Sequence, residues 1–222
     1  GTGSAGYAGT PNWTINTNNV DPTICSSSYC IDQPGTTVNL DQISDRLMHR
    51  VQYRNFGTYQ TLVGNHTVDT NNPAGIAGIH WFELRNTGTD WAMYQQGTYG
   101  LADSVGRWMG SIAMDGSGNM ALGFSASSSS IYPSIRYVGR LASDTLGTMA
   151  QSETTLVAGS GYQSSSYSRW GDYSAMQVDP SDDATFWFTT EYIVTSGSAN
   201  WVTRIGAFKF GTSVTPTPTP VT

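Results

Sequence analysis

The chain has 222 residues and a net charge of −6, and aromatic residues are as frequent as charged ones, at 12% each. That aromatic content argues against disorder, and the ten Lys and Arg form no basic stripe such as a nucleic-acid binder carries. No run approaches the roughly 18 apolar residues of a membrane-spanning helix, so the chain is expected to bind no nucleic acid and to span no membrane.

A neutral surface rich in Ser, Thr, Gly, Asn and Tyr suits a secreted β-protein, and an extracellular location is expected. Residues 1–38 are polar and irregular and read as an N-terminal connection packed along a surface, with room for one strand at 12–15. Cys25 and Cys30 have four residues between them. A local disulfide is the first reading, and so short a loop contributes only about 2 kcal/mol through chain entropy. A metal site would need more ligands nearby, and the spacing is wrong for a thioredoxin-type redox pair. Asn12-Trp13-Thr14 and Asn65-His66-Thr67 match the glycosylation sequon.

Strands begin near Val38. Residues 45–54 mix two patterns: Leu47, Arg50 and Arg54 fit a helix, whereas Val51, Tyr53 and Phe56 alternate. The turn at 55–59 and the returning strand at 60–68 favour a hairpin. A linker with Asn71-Asn72-Pro73 follows, then a hairpin of 78–85 with 91–99. Arg107-Trp108-Met109-Gly110-Ser111-Ile112-Ala113-Met114-Asp115 is a strand, Gly116-Ser117-Gly118-Asn119 a turn and 120–125 the return. Further strands are read at 133–141 and 154–159. The Arg-Trp phrase recurs at Arg169-Trp170, 62 positions on, and again a strand, an acidic turn (179–183) and an aromatic, β-branched strand (185–192) follow. A last strand covers 200–210. Residues 212–222 form a Thr/Pro linker of polyproline type, which joins extracellular domains to further modules.

A recurring phrase with long polar connections points to radial repetition. The expected fold is all-β and β-propeller-like over 39–211. About four antiparallel blades are read near 42–68, 76–99, 107–141 and 169–210, as a complete or incomplete propeller. A β-sandwich is the alternative.

These segments resemble an uncharacterised family of secreted bacterial β-propeller proteins. The resemblance is carried by Gln33-Pro34-Gly35-Thr36, Asp45-Arg46-Leu47-Met48-His49-Arg50 and Tyr53-Arg54-Asn55-Phe56-Gly57. It continues through Val63-Gly64-Asn65-His66-Thr67-Val68, Trp81-Phe82-Glu83-Leu84-Arg85, Gln95-Gln96-Gly97-Thr98-Tyr99, the Arg107 strand, Tyr132-Pro133-Ser134-Ile135-Arg136-Tyr137 and residues 169–192. It implies a chain equivalent to the C-terminal half of a longer propeller, completed by another chain or by a further fragment of its own precursor. Relatives often carry Cys where Ala184 stands and another after the last strand; this chain has neither. The broader likeness to sialidase-type propellers is weak, because the Ser-x-Asp-x-Gly-x-x-Trp motif is absent.

Asp172, Glu191, Glu83 and Asp69 are the carboxylates set among aromatic residues and Arg. A glycosidase needs two of them about 5 to 9 Å apart, and Asp172 with Glu191 is the candidate pair; the plainer reading pairs Asp172 with Arg169 and makes Glu191 a strand-end charge. Arg107, Arg136, Arg169 and Arg204 recur at matching places, either to grip a carboxylate ligand or to join blade to blade. The six tryptophans from Trp81 to Trp201 are sugar-stacking platforms or packing between blades. Arg107, Trp108, Arg169, Trp170, Tyr173 and Arg204 make up the candidate binding set. His49, His66 and His80 lack ligand spacing, the Ser runs lack a nucleophile motif, and Asp115-Gly116-Ser117-Gly118-Asn119 lacks the acid that completes a calcium loop. No metal or cofactor is expected. The favoured function is an extracellular binding or structural module working in an assembly with another chain or precursor fragment, as a homo-oligomer or filament, with glycan as a further partner. The alternative is a glycoside hydrolase or sialidase-like enzyme.

Overall fold

The computed structural model describes residues 21–27, 29–71 and 73–211. The strand considered at 12–15, the Asn12 sequon and the 212–222 linker lie outside them. Among the described residues there is no helix, and thirteen strands form four antiparallel sheets. β1 (Tyr29–Ile31) and β2 (Leu40–Asp41) make a small pair, so the connection read as irregular up to residue 38, with a strand considered only at 12–15, contains a strand at 29–31. The first large sheet is β3 (Gln52–Asn55), β4 (Gln60–Asp69), β5 (Ala77–Asn86) and β6 (Trp91–Tyr99). The second is β7 (Gly106–Met114), β8 (Met120–Ser128), β9 (Ile131–Arg140) and β10 (Thr154–Val157). The third is β11 (Ala175–Val178), β12 (Phe186–Ile193) and β13 (Trp201–Phe208). Each large sheet is a meander in which chain neighbours pair.

The two hairpins read as separate blades at 42–68 and 76–99 are one sheet, because β4 and β5 pair along their whole length from Gln60↔Asn86 to Asp69↔Ala77. The segment with Pro73 is a tight turn. The Asp69 carboxylate accepts the N–H groups of Asn71 (2.6 Å) and Gly75 (2.8 Å), and Gly75 sits at φ +83°, where a side chain is disfavoured. The fourth sheet is therefore the β1–β2 pair.

The second sheet lies between the other two. Ile112, Met114, Leu122, Phe124 and Val138 pack with Val63, Ile79 and Trp81 of the first sheet. The alternate residues Ala113, Ala121 and Ile135 pack with Met176, Phe186, Phe188 and Phe208 of the third. Every residue of β7 and β8 is buried, as expected of strands covered on both faces. A third cluster joins Ile31 and Leu40 to Trp108, Met109, Trp170 and Ile193.

The leading strands β3, β7 and β11 converge. Gln52 Nε2 donates to Met176 O (2.5 Å), Arg54 Nε to Met114 O (3.0 Å), and Met176 N–H to Ser111 Oγ (2.9 Å). Meanders packed face to face with their first strands at a common centre give an all-β, propeller-like arrangement with no closed barrel; the face-to-face packing itself is also found in a β-sandwich. Both Arg-Trp phrases lead into first strands, and Trp108 and Trp170 meet with ring centroids 5.6 Å apart.

Candidate functional site

The two faces of the third sheet differ. Phe186, Phe188, Thr190 and Tyr192 of β12 are buried against the second sheet, while Trp187, Thr189 and Glu191 alternate onto the outer face. The register adds Gln177 opposite Trp187, Ile205 opposite Thr189, Thr203 opposite Glu191 and Trp201 opposite Ile193. Trp187 is 43%, Trp201 51% and Ile205 60% exposed, and no strand among the described residues pairs with the far edge of β13.

Segment 169–174 forms one wall of a cleft on this face. Trp170 anchors it: the ring is buried and its Nε1 donates to Ser125 Oγ at 3.0 Å. Ser174 Oγ ties the other end to Met109 O at 2.8 Å. Between these anchors Gly171 N–H donates to Glu191 Oε1 at 2.8 Å, and a Cβ on Gly171 would stand 2.7 Å from Oε2, so the close approach needs glycine. Tyr173 projects outward, 74% exposed, with its ring 5.9 Å from His49 in an edge-on arrangement of 77°. Ala175, Thr189 and Thr203 form a floor of short side chains, and the cleft encloses ≈ 580 Å³.

Burial pushes the Glu191 carboxyl above the ordinary range; the Gly171 N–H opposes this, and the nearby Asp172 charge adds to it. Asp172 itself pairs with Arg169, which also reaches Asp41 at 3.5 Å. The candidate pair Asp172 and Glu191 therefore comes together around one segment, but with unlike roles. Glu191 is a half-buried group within β12, opposite Thr203, rather than a strand-end charge. Asp172 and Arg169 turn toward a second, ionic cleft of ≈ 380 Å³ that includes Asp41, Asp45 and Arg46.

The rest of the predicted binding set is dispersed. Arg107 and Trp108 are fully buried and Trp170 nearly so, so none of the three offers a surface to a ligand. Arg107 and Arg136 both grip Glu153, at 2.6 and 2.7 Å; Arg107 also holds Asp103 at 2.8 Å, and Tyr99 Oη donates to Glu153 at 2.9 Å. Arg204 stands apart on β13, donating to Tyr192 Oη at 3.4 Å. The four arginines thus form no single cluster; of the six predicted residues, Tyr173 lines the first of these two clefts and Arg169 the second.

Glu83 is fully buried, bonded to Arg85, Gln95 and Thr61, and Arg85 stacks between Tyr59 and Tyr94. Asn65 is fully buried, so its sequon presents no accessible amide in the fold. His66 and His80 meet edge-on at 5.3 Å. Burial drops the imidazole of His80 to about 4, with the neighbouring His66 adding to the effect. Asp115 caps its hairpin turn by accepting from Ser117 and Asn119 N–H, both at 2.9 Å. Cys25 and Cys30 form a disulfide with Cα atoms 6.1 Å apart. No group of His, Cys, Asp and Glu among the described residues could hold a metal ion.

Sequence reasoning missed the central cleft of ≈ 430 Å³ where the leading strands meet, lined by Arg50, Gln52, Tyr53, Arg54 and Gln177. Arg54 there pairs with Asp183. The signal was the polar residues in short first strands, whose meaning depends on all three strands meeting. No protein-family model matches this chain, and no curated protein matches it.

Proposed function

We propose that the chain is an extracellular binding or structural module that works in an assembly with another protein chain, through the outer face of its third sheet. The observation that carries this reading is the exposure of Trp187, Trp201 and Ile205 on one side of a sheet whose other side is closely packed. Exposed apolar groups gathered on one sheet face mark interaction surfaces, and an unpaired edge strand beside them adds a row of free backbone donors and acceptors. Within the chain the second sheet covers the neighbours' faces in just this manner, so the uncovered face has the chemistry of a sheet-to-sheet contact. A secreted module with a hydroxyl-rich surface fits such a role.

The hydrolase alternative rests on Glu191, whose carboxyl retains its proton more readily than an ordinary Glu. A second carboxylate free to attack or to activate water is also required, and the ion pair of Asp172 with Arg169 weighs against that role.

The test is the mass in solution over a wide concentration range, by light scattering. The expected result is a mass above that of one chain, reduced to that of one chain by Ile205→Glu. A wild-type monomer at every concentration would remove the case for self-assembly.

A further inference from the structure

We propose that the cleft between Tyr173 and Glu191 is a binding site for a neutral saccharide. This goes beyond the assembly reading: Thr189, Glu191 and Thr203 of the cleft lie beside Ile205 and Trp201 on the same face, so a protein partner seated there would compete with the saccharide. The titration is therefore made at concentrations where the chain is a single copy, or on the Ile205→Glu variant.

The geometry supplies the groups that recognise a polyhydroxylated ring. Tyr173 presents a largely uncovered aromatic ring above the opening, steadied by His49 rather than buried by it. An aromatic face stacks on the apolar C–H face of a sugar and keeps a polar tip for its rim. Below it, Glu191 Oε1 is held by the Gly171 N–H, while Oε2 has no hydrogen-bond partner among the described residues. The hydroxyls of Thr189 and Thr203 border the same cleft. Together Glu191 Oε2 and the two hydroxyls offer three oxygen atoms that can exchange hydrogen bonds with vicinal hydroxyls. The volume of ≈ 580 Å³ falls within the range of about 300–1,000 Å³ usual for small-ligand sites.

The same lining argues for a neutral ligand over an acidic one. No Lys or Arg borders this cleft; Arg169, the nearest cation in the chain segment, borders the neighbouring one and is engaged by Asp172 and Asp41. A uronate or sialate carboxylate would meet Glu191 with no Lys or Arg in the lining to offset the repulsion, and with the His49 imidazole as the one basic group beside it. The Gly at 171 has a defined part here: any side chain would drive the Glu191 carboxyl from its place.

The experiment titrates the full chain, by calorimetry, with neutral hexasaccharides of glucose, xylose, mannose and N-acetylglucosamine, and with hexagalacturonate as the acidic comparator. At least one neutral saccharide is expected to bind, and hexagalacturonate is expected not to. Tyr173→Ala should weaken the binding at least about tenfold, as truncation of an aromatic anchor does, while Tyr173→Trp should preserve it. Tyr173 is exposed, so both variants should fold, and circular dichroism checks this. The proposal is overturned if no neutral saccharide binds, if hexagalacturonate binds as tightly as the best neutral one, or if Tyr173→Ala leaves affinity unchanged.

Discussion

A partly buried glutamate stands near each Arg-Trp phrase, Glu153 just before β10 and Glu191 within β12, and the two carboxyls are pushed in opposite directions. Burial alone would raise Glu153, but hydrogen bonds and charge from Arg107, followed by Arg136 and Tyr99, hold it below the ordinary range. Burial does raise Glu191, which has one backbone N–H and no cation against it. The difference follows from what surrounds each sheet. β7 is covered on both faces, so the Arg107 charge within it must be fully paired, and Glu153, just ahead of the edge strand β10, supplies that pairing. The third sheet has one open face, and a carboxyl there can remain singly bonded beside a cleft. The same two-residue phrase therefore ends in opposite environments: Arg107 is fully buried and bridges two acids, while the Arg169 side chain is 57% exposed.

The largest expected effect comes from breaking the paired side of this comparison. Glu153→Gln leaves Arg136 without an ion pair and Arg107 with Asp103 alone, and it should destabilise the fold by about 3–5 kcal/mol, the cost of removing one partner of a buried pair. Urea denaturation measures it. The pH dependence has a defined sign. Because the folded carboxyl is depressed, its stabilisation is present above the ordinary Glu pKa and is lost as pH falls through the folded value. The acid-side loss of stability should therefore be shallower in the variant than in the wild type. A variant as stable as wild type at neutral pH would show that the network contributes nothing net.

A second prediction tests how tightly the third sheet's covered face fits the second. A Cβ on Gly123 would stand 2.6 Å from three atoms of the buried Phe188 ring. Gly123→Ala should cost about 1–3 kcal/mol by overpacking, read as a lower denaturation midpoint with unchanged slope. A neutral result would mean that the two sheets are free to shift apart.

The β5–β6 and β7–β8 hairpins were legible in the sequence because alternation and Gly/Asn turns mark them locally. The union of the first two hairpins was not, since Pro73 and its neighbours read as a linker while the Asp69 carboxylate in fact folds them into a turn. Segment 169–174 read as strand because it repeats the Arg107 phrase, but only residues from Ala175 on pair with β12. The anchor that makes the difference is the Trp170–Ser125 hydrogen bond, a contact across 45 residues that no local pattern encodes. The carboxylates show the same limit: Asp172 and Glu191 could be named as neighbours, but which of them would be paired and which left beside a cleft depends on Arg169 and on an open sheet face.

The smallest effect, and the one of opposite sign, is expected at Glu191. Its folded carboxyl is raised, so its contribution to stability is fully present below the ordinary Glu pKa and is lost as pH rises through the folded value. At neutral pH the wild-type chain therefore carries a penalty for ionising this group under Gly171. Glu191→Gln removes the charge and keeps an oxygen that can accept the Gly171 N–H, so the folded geometry needs no rearrangement. The variant should lie within about 1 kcal/mol of wild type, as for one hydrogen bond exchanged for another, and on the stable side at pH 7. Below the ordinary carboxylate range the two chains should converge. Thermal denaturation at pH 7 and at about pH 3, below the ordinary carboxylate values, reads both outcomes. If Glu191→Gln were instead as costly as Glu153→Gln, Glu191 would need a counter-charge of its own, and the contrast between the enclosed and the open sheet would fail.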